Sequence, residues 1–599
     1  MNNIAALSTL LITIVAAILL VSERLRPDLI ALIVLVTLGL SGLVKPNEAF
    51  AGFSGSAVMT ILAISIISEG LHKTGVTHQL GRRMRRIGGS QEWRLVMVTM
   101  LVSALLSLFM NNIAAVGVLM PAVMGLSRDT RLAPSRLMMP LAFGTLLGGM
   151  ATLLTTSNII VSGALRDAGF VPYGLLDFLP VGIPIVVVGT IYMVIFGRRL
   201  LPAHYPIGEA AWSRQIDMGL SNLYGLEKSL CKVLVDTSSA VANQSLQEGQ
   251  WHQRFGLTVV GLVRDDHVYL APRREEVIRE GDIILAQGSP SAETLRRYGL
   301  RLLQDSPLPI RVTDESVILA EVVLSPHTSL IGKSLRDIHF REKYGFNVLA
   351  IWRAGQPIQS GKTDLPLLFG DAMLVQGPAS SLVLLRSESD FIVLQEDPDP
   401  VFSPGKARHA LTITLLTLGI ASLGWLPVAV VSLVGAILLI LTNCLSMDDA
   451  YRSIEWRAIF IIAGMWPLST AIRSSGLADK SIGVLLNLFG GLAPLAMAAI
   501  LLVITIFLAQ LIGGQVSALI LAPLAISAAQ SLGVDARSMG MAVALGCSVA
   551  FMTPFGHPVN VIVMSSGGYS VRTFLRVGAP LSLLIALTIL SGLHFFWGL

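Results

Sequence analysis

The sequence predicts an all-α polytopic membrane protein of two inverted-topology repeats, with re-entrant hairpins and broken helices. An α+β pair of small domains is inserted between the repeats. Three observations predict this. Of the 599 residues, 53% are hydrophobic and 14% charged, and several apolar runs approach the roughly 20 residues that a bilayer-spanning helix needs. Two of these runs are interrupted at matching places. Residues 136–163 break at Thr155-Thr156-Ser157-Asn158, and residues 538–565 break at Thr553-Pro554-Phe555-Gly556-His557-Pro558. Asn560 follows Asn158, and Gly546 follows Gly144, at one offset of 402 (560 − 158, 546 − 144). Finally, from about 204 to 404 charges become frequent and long apolar runs vanish.

Taken in order, apolar runs at about 4–22, 28–44 and 54–71 predict three spans. The first lacks a basic leader and a small-residue cleavage site, so it reads as an uncleaved span. The loop after the third carries Lys73, Arg82, Arg83, Arg85, Arg86 and Arg94 against Glu92, which makes it cytoplasmic by the positive-inside rule. The stretch 95–126 is basic on both flanks and cut at Phe109-Met110-Asn111-Asn112, the pattern of a re-entrant hairpin with the two asparagines at its tip. The broken helix then crosses outward, and a span at about 178–196 returns to Gly197-Arg198-Arg199. Five crossings are an odd number, so a second copy enters with opposite polarity. Gly476 answers Gly75, and Asp449-Ala450-Tyr451 answers Glu48-Ala49-Phe50, at an offset of 401. A second hairpin is expected over 492–530, and Arg572 and Arg576 bring the chain back to the cytoplasm. The expected domains are 1–203 and 405–599 for the repeats, with 204–310 and 311–404 between them. The insert is cytoplasmic in this reading, and both termini are external.

The insert is itself duplicated. Phe255-Gly256-Leu257 answers Tyr344-Gly345-Phe346, and Gly281-Asp282-Ile283 answers Gly370-Asp371-Ala372, at an offset of 89. Short β-branched runs beside Gly-Asp turns predict strands. Ser245-Leu246 and Ser334-Leu335 open short helical segments.

Other classes find little support. The net charge of +5 comes from basic residues spread over short loops and is no signal for nucleic acid. Cys231, Cys444 and Cys547 have no paired spacing, and no nucleophile–base set appears, so an enzyme is not expected. Backbone at membrane depth must be satisfied within the protein, so matched interruptions mark a shielded cavity and point to a secondary transporter.

These features resemble the divalent anion/sodium symporter family of the ion transporter superfamily, in its branch with two TrkA C-terminal (RCK-C type) domains. Phe109-Met110-Asn111-Asn112-Ile113 with Pro121 is similar to the family's Ser-Asn-Thr hairpin tip, Val549–Leu584 to its second-half signature, and 256–266 and 280–289 to the TrkA-C unit. The resemblance implies elevator-like alternating access in a homodimer of the cell membrane. It further implies sodium and a small anion held between hairpin tips and broken helices, and a small regulatory ligand at the TrkA-C-like pair. In the second hairpin the motif positions fall on Gly513, Gly514 and Gln515, which departs from the pattern.

A divalent oxyanion entering a bilayer must exchange hydration for hydrogen bonds. Helix ends supply backbone N–H groups and partial positive charge, and short polar side chains complete the shell. The candidates are Asn111, Asn112, Thr155, Thr156, Ser157, Asn158, Gln515, Ser517, Thr553, His557 and Asn560. Asn111, Asn112 and Thr155 also suit Na⁺. Sulfate is favoured over a dicarboxylate because no arginine lies near the tips or breaks. His557 is a candidate proton carrier, so the coupling ion is Na⁺ or H⁺. The alternatives are a sodium/proton antiporter, disfavoured because no buried acid is evident at the site, and a ligand-regulated channel or nutrient sensor.

Overall fold

A computed structural model describes residues 2–22, 25–77, 79–80, 84, 89, 91–130, 132–202, 230–237, 239–264, 267–270, 275–287, 290–303, 317–324, 328, 330–353, 356–358, 363–368, 370–378, 381–388, 390–393, 404–489 and 493–599. The arginines at 82, 83, 85 and 86 of the basic loop lie outside them. The chain forms two compact units, Met1–Ala203 with Glu396–Leu599, and His204–Gln395.

The first unit is helical. Its early part comprises α1 (Asn2–Val21), α2 (Pro27–Leu40), α3 (Pro46–Ala49), α4 (Ser56–Lys73), α5 (Glu92–Ser107), α6 (Asn112–Thr130), α7 (Met138–Gly149), α8 (Thr156–Asp167) and α9 (Leu179–Tyr192), the last continued by a π turn to Gly197. After the insert come α10 (Ala407–Ser422), α11 (Val428–Leu441), α12 (Met447–Ser453), α13 (Trp456–Ser474), α14 (Leu477–Phe489), α15 (Pro494–Ile512), α16 (Gly514–Leu532), α17 (Ala536–Gly546), α18 (Pro558–Ser566) and α19 (Val571–Trp597). The pattern of the first run recurs in the second. Both ends of α2 and α11 differ by 401 residues, and both ends of α6 and α16 by 402. Proline opens α2, α15 and α18, where its missing N–H costs nothing. Among the described residues, five helices are long and apolar enough to cross a membrane: Ile4–Val21, Leu179–Leu200, Pro494–Ile512, Gly514–Leu532 and Val571–Trp597.

The helices pack in two interleaved groups. In one, α2 lies against α13 and α4 against α11. In the other, α5 lies against α7, α16 against α17 and α8, and α9 against α19. The second group holds both hairpins and both broken helices, and α13–α16 and α4–α8 contacts join it to the first. Small residues permit close approach where the chain is interrupted. A Cβ on Gly182 of α9 would lie 2.3 Å from the Ala151 Cα, and one on Gly578 of α19 would lie 1.9 Å from the Phe551 carbonyl oxygen. Each interruption is thus backed by a glycine from the last helix of its own half.

Two tyrosines tie the halves reciprocally. The Tyr173 hydroxyl, after α8, donates to the Arg537 carbonyl at the start of α17. The Tyr569 hydroxyl, after α18, donates to the Ser135 carbonyl and accepts from the Met139 N–H at 2.9 Å, at the start of α7.

The second unit holds two five-stranded antiparallel sheets of one topology. The first comprises β1 (Leu230–Val235), β2 (Thr258–Arg264), β3 (His267–Leu270), β4 (Ile283–Gln287) and β5 (Leu300–Leu303), in the order β3-β2-β4-β1-β5. The second comprises β6 (Val317–Leu324), β7 (Asn347–Arg353), β8 (Gln356–Ile358), β9 (Ala372–Pro378) and β10 (Phe391–Val393), in the order β10-β6-β9-β7-β8. The Gly-Asp turns explain the duplicated motif. Gly281 and Gly370 take φ of +83° and +82°, and each following aspartate is buried against an arginine 18 residues earlier. Arg264 grips Asp282 at 2.9 and 2.7 Å, and Arg353 grips Asp371 at 2.8 and 2.6 Å. A two-oxygen grip of this kind holds a buried carboxylate that would otherwise be too costly, and raises both guanidinium pKa values, the aspartate hydrogen bonds contributing most.

Candidate functional site

The first hairpin turns between α5 and α6. Asn111 precedes α6 as a cap, its Oδ1 accepting the Ile113 N–H at 3.0 Å, which satisfies a donor that a helix start leaves free. Asn112 is buried at the start of α6 and accepts from the Ser107 hydroxyl. The first broken helix stops at Gly149 and resumes at Thr156. The interruption therefore occupies Met150–Thr155, earlier than the polar run suggests. Thr156, Ser157 and Asn158 form the first turn of α8, because Thr155 has the extended backbone that starts a helix.

Hairpin and break converge on Gly149. A Cβ there would stand 2.8 Å from Asn112 Oδ1 and 2.9 Å from Thr155 Oγ1, and Thr155 itself donates to the Gly149 carbonyl. Asn158, fully buried, donates its amide to the Thr152 carbonyl at 2.8 Å. Its Oδ1 and the Thr152 hydroxyl are buried without a hydrogen-bond partner among the described residues. A buried acceptor of this kind is met by an ordered water, an ion or a bound ligand.

The second half repeats this with different side chains. Gly513 joins α15 to α16 at φ +82° and ψ 154°, a conformation suited to glycine. A Cβ on Gly514 would lie 2.5 Å from the Cys547 carbonyl oxygen, so the second tip rests on the second break. Asn560, fully buried, donates to the carbonyls of Ala550 at 2.6 Å and Thr553 at 3.1 Å, and its Oδ1 has no partner among the described residues. Asn158 and Asn560 thus do the same work, each pinning its break and leaving one oxygen open. Gln510, which sequence reasoning missed, bonds Val549 O at 2.8 Å and accepts from Thr553 Oγ1 at 2.8 Å and Thr553 N at 3.1 Å. The Thr553 hydroxyl in turn accepts the Gly556 N–H at 3.1 Å. His557 accepts the Val559 N–H on Nδ1 at 3.2 Å and so caps α18. The two breaks meet where Ser157 Oγ lies 3.1 Å from Ser548 Oγ.

The structure therefore gathers Asn112, Thr155, Ser157, Asn158, Thr553 and Asn560 along one line running from tip to break, across to the other break, and on to the second tip. Thr156 and Gln515 lie half-buried in the first turns of α8 and α16. Ser517 is buried but turns its hydroxyl to its own helix, donating to the Gly513 carbonyl at 2.9 Å. Asn111 departs from expectation. Its amide donates to Glu455, the residue before α13, and away from the Thr155 cluster. A half-buried acid thus touches the first hairpin tip, which corrects the reading that no such acid is present. Residues 107–115, 149–158, 510–517 and 547–560 contain no Asp, Glu, Lys or Arg, and His557 is their one histidine. An anion here would be held by helix N-termini and neutral donors.

Comparison with known proteins gives the same class. An uncharacterized transporter of Synechocystis sp. is 31% identical over 593 residues, covering 97% of this chain and 95% of that protein. An uncharacterized transporter of Escherichia coli strain K12 is 31% identical over 95% of this chain and 96% of its own length. The sodium/sulfate cotransporter 1 of Chlamydomonas reinhardtii is 21% identical over 95% and 87%. The citrate transporter (CitMHS) family matches residues 17–546, and with that match over most of its length this multi-pass chain belongs to the CitMHS family of membrane transporters.

Proposed function

We propose that the protein is a secondary active importer of a small divalent anion, sulfate before a dicarboxylate, coupled to Na⁺ or H⁺. The observation that carries this is the pair Asn158 and Asn560, each with one amide oxygen buried and open beside an interrupted helix. The first-half cluster of Asn112, Thr155 and Asn158 supplies neutral oxygens of the kind that suit a hard monovalent cation, and in our reading it takes Na⁺. The anion lies between the breaks at Ser157, Ser548 and the first turns of α8 and α18. Its charge is met by peptide N–H groups, since no arginine is present to clamp two carboxylates. The relative named a sodium/sulfate cotransporter supports the same choice.

The two helix groups support elevator-like alternating access, the group with hairpins and broken helices moving against the group of α2, α4, α11 and α13. The reciprocal tyrosine ties and recurring helix bounds support inverted repeats, and the homodimer of the cell membrane in this reading rests on the family resemblance alone. The two sheets are assigned to TrkA-C-like cytoplasmic domains within 204–310 and 311–404 that take a small regulatory ligand. Uptake of isotopic sulfate into proteoliposomes, with and without an inward Na⁺ gradient, tests the function. Sulfate uptake that rises with the gradient supports it. Exchange of Na⁺ for H⁺ without anion uptake would replace it with an antiporter.

A further inference from the structure

Asn111 spends both ends of its side chain on holding the hairpin. Its Oδ1 caps α6 through Ile113, and its amide donates to the Glu455 carboxylate. The next residue is Asn112, which faces Gly149 and Thr155. The bond to Glu455 joins residues 344 apart and crosses from the hairpin to the other helix group. Glu455 makes no ion pair among the described residues, so its carboxylate is held by an amide alone. A half-buried carboxylate without a cationic partner adds little to stability, and its value here lies in geometry.

The same helix makes a second tie. Eleven residues after Glu455, about three turns, Trp466 Nε1 donates to Asp167 Oδ2 at 3.0 Å at the end of α8. Its ring carbon Cη2 lies 2.6 Å from where a Gly163 Cβ would stand. The segment from Glu455 into α13 therefore contacts the first hairpin tip at its start and the C-terminal end of α8 at its middle.

We propose that Glu455 is a positioning residue: by accepting the Asn111 amide it holds Asn112 in register with Gly149 and Thr155. This rests on the reading of the Asn112 cluster as the cation site. Losing a buried hydrogen bond and leaving its donor unpaired changes an equilibrium about ten-fold. The test is Na⁺ activation of sulfate uptake by the full-length protein in proteoliposomes, with Na⁺-dependent thermal stabilisation of the same variants in detergent. Glu455→Asp keeps the charge but withdraws the oxygens by one methylene. It raises the Na⁺ concentration for half activation about ten-fold while the saturated rate stays within about two-fold. Glu455→Gln, which retains an accepting oxygen, restores half activation to within about three-fold of wild type. Asn112→Ala loses both Na⁺ readouts. If Glu455→Asp shows wild-type half activation and stabilisation while Asn112→Ala loses them, the positioning role is overturned and the cation site stands. If Asn112→Ala keeps them, the cation site itself is wrong. A fall in folded yield of Glu455→Asp with unchanged half activation marks a structural tie and also overturns the proposal.

Discussion

The hydroxyl oxygens of Ser157 and Ser548 lie 3.1 Å apart, although 391 residues separate them in the chain. Each belongs to an interrupted helix of a different half, so this contact is the seam between the two breaks. A bound oxyanion would draw hydrogen bonds from both. Ser157→Ala therefore raises the sulfate concentration for half-maximal uptake about ten-fold or more. The check is concentration-dependent uptake at saturating Na⁺. Unchanged half-saturation would move the anion away from the seam.

Gly149 leaves room for the meeting of hairpin and break. Its added methyl would fall 2.8 Å from Asn112 Oδ1 and 2.9 Å from Thr155 Oγ1. Gly149→Ala and Asn112→Ala should each abolish Na⁺-stimulated uptake, the first by filling the space and the second by removing a ligand. Membrane insertion, read by fluorescence-detection chromatography, should be preserved for Asn112→Ala.

Orientation is checked by cysteine labelling. Tyr173 is 3% exposed and bonded to Arg537, whereas Val171 is 69% exposed on the same connection. Val171→Cys should react with an impermeant maleimide from outside, and Glu293→Cys in the insert from inside. The native thiols interfere little: Cys444 and Cys547 are buried, and desolvation pushes the Cys231 thiol up to about 11, leaving it protonated at labelling pH. Labelling of Val171→Cys from inside would end the inverted-repeat reading.

The duplicated arginine grips make the insert sensitive to single changes. Asp282 and Asp371 are 1% exposed, and removing the arginine leaves each buried carboxylate with a backbone N–H, from Arg279 or Leu368, but no cation. Arg264→Ala or Arg353→Ala should destabilise its sheet by about 3–5 kcal/mol, read as a lower Tm for protease resistance of the insert. Backbone and hydroxyl hydrogen bonds from Ser245 and Ser334 lower the pKa of Glu248 and Asp337. A carboxyl depressed on folding stabilises above its unfolded pKa and loses that contribution as pH falls through the folded value. Insert stability should thus decline on acidification below the ordinary carboxylate range.

His557 caps α18 through Nδ1. To take up a proton there it must release the Val559 N–H. His557→Asn supplies a capping oxygen that does not titrate. Uptake at neutral pH should be retained. A pH profile identical to wild type assigns His557 to capping alone.

Much of this architecture was legible because membrane helices are apolar, and their interruptions stand out as Asn-Asn, Thr-Thr-Ser-Asn and Thr-Pro-Phe-Gly-His-Pro. The offset of 402 that linked Asn158 to Asn560 survives as identical roles in two folded halves. The first break was placed late because threonine and serine read as loop, whereas Thr155 starts a helix. Glu455 and Gln510 escaped notice for another reason. Glu455 stands in Ile-Glu-Trp-Arg at the edge of an apolar run, where an acid ordinarily faces headgroups, and its partner Asn111 is 344 residues away. Gln510 corresponds to Leu108 at the same offset, so repeat logic carried no polar signal to that position.

Gly513 stands at the offset of Asn111, yet its φ of +82° with ψ 154° belongs to backbone that side chains do not comfortably enter. The divergence of the two tips is therefore directional. Restoring an asparagine at 513 would require the turn to be rebuilt first, so no single codon change returns the second tip to the form of the first. A chimera carrying two copies of the first half would gain a polar tip only by surrendering the turn that now seats α16 on Cys547.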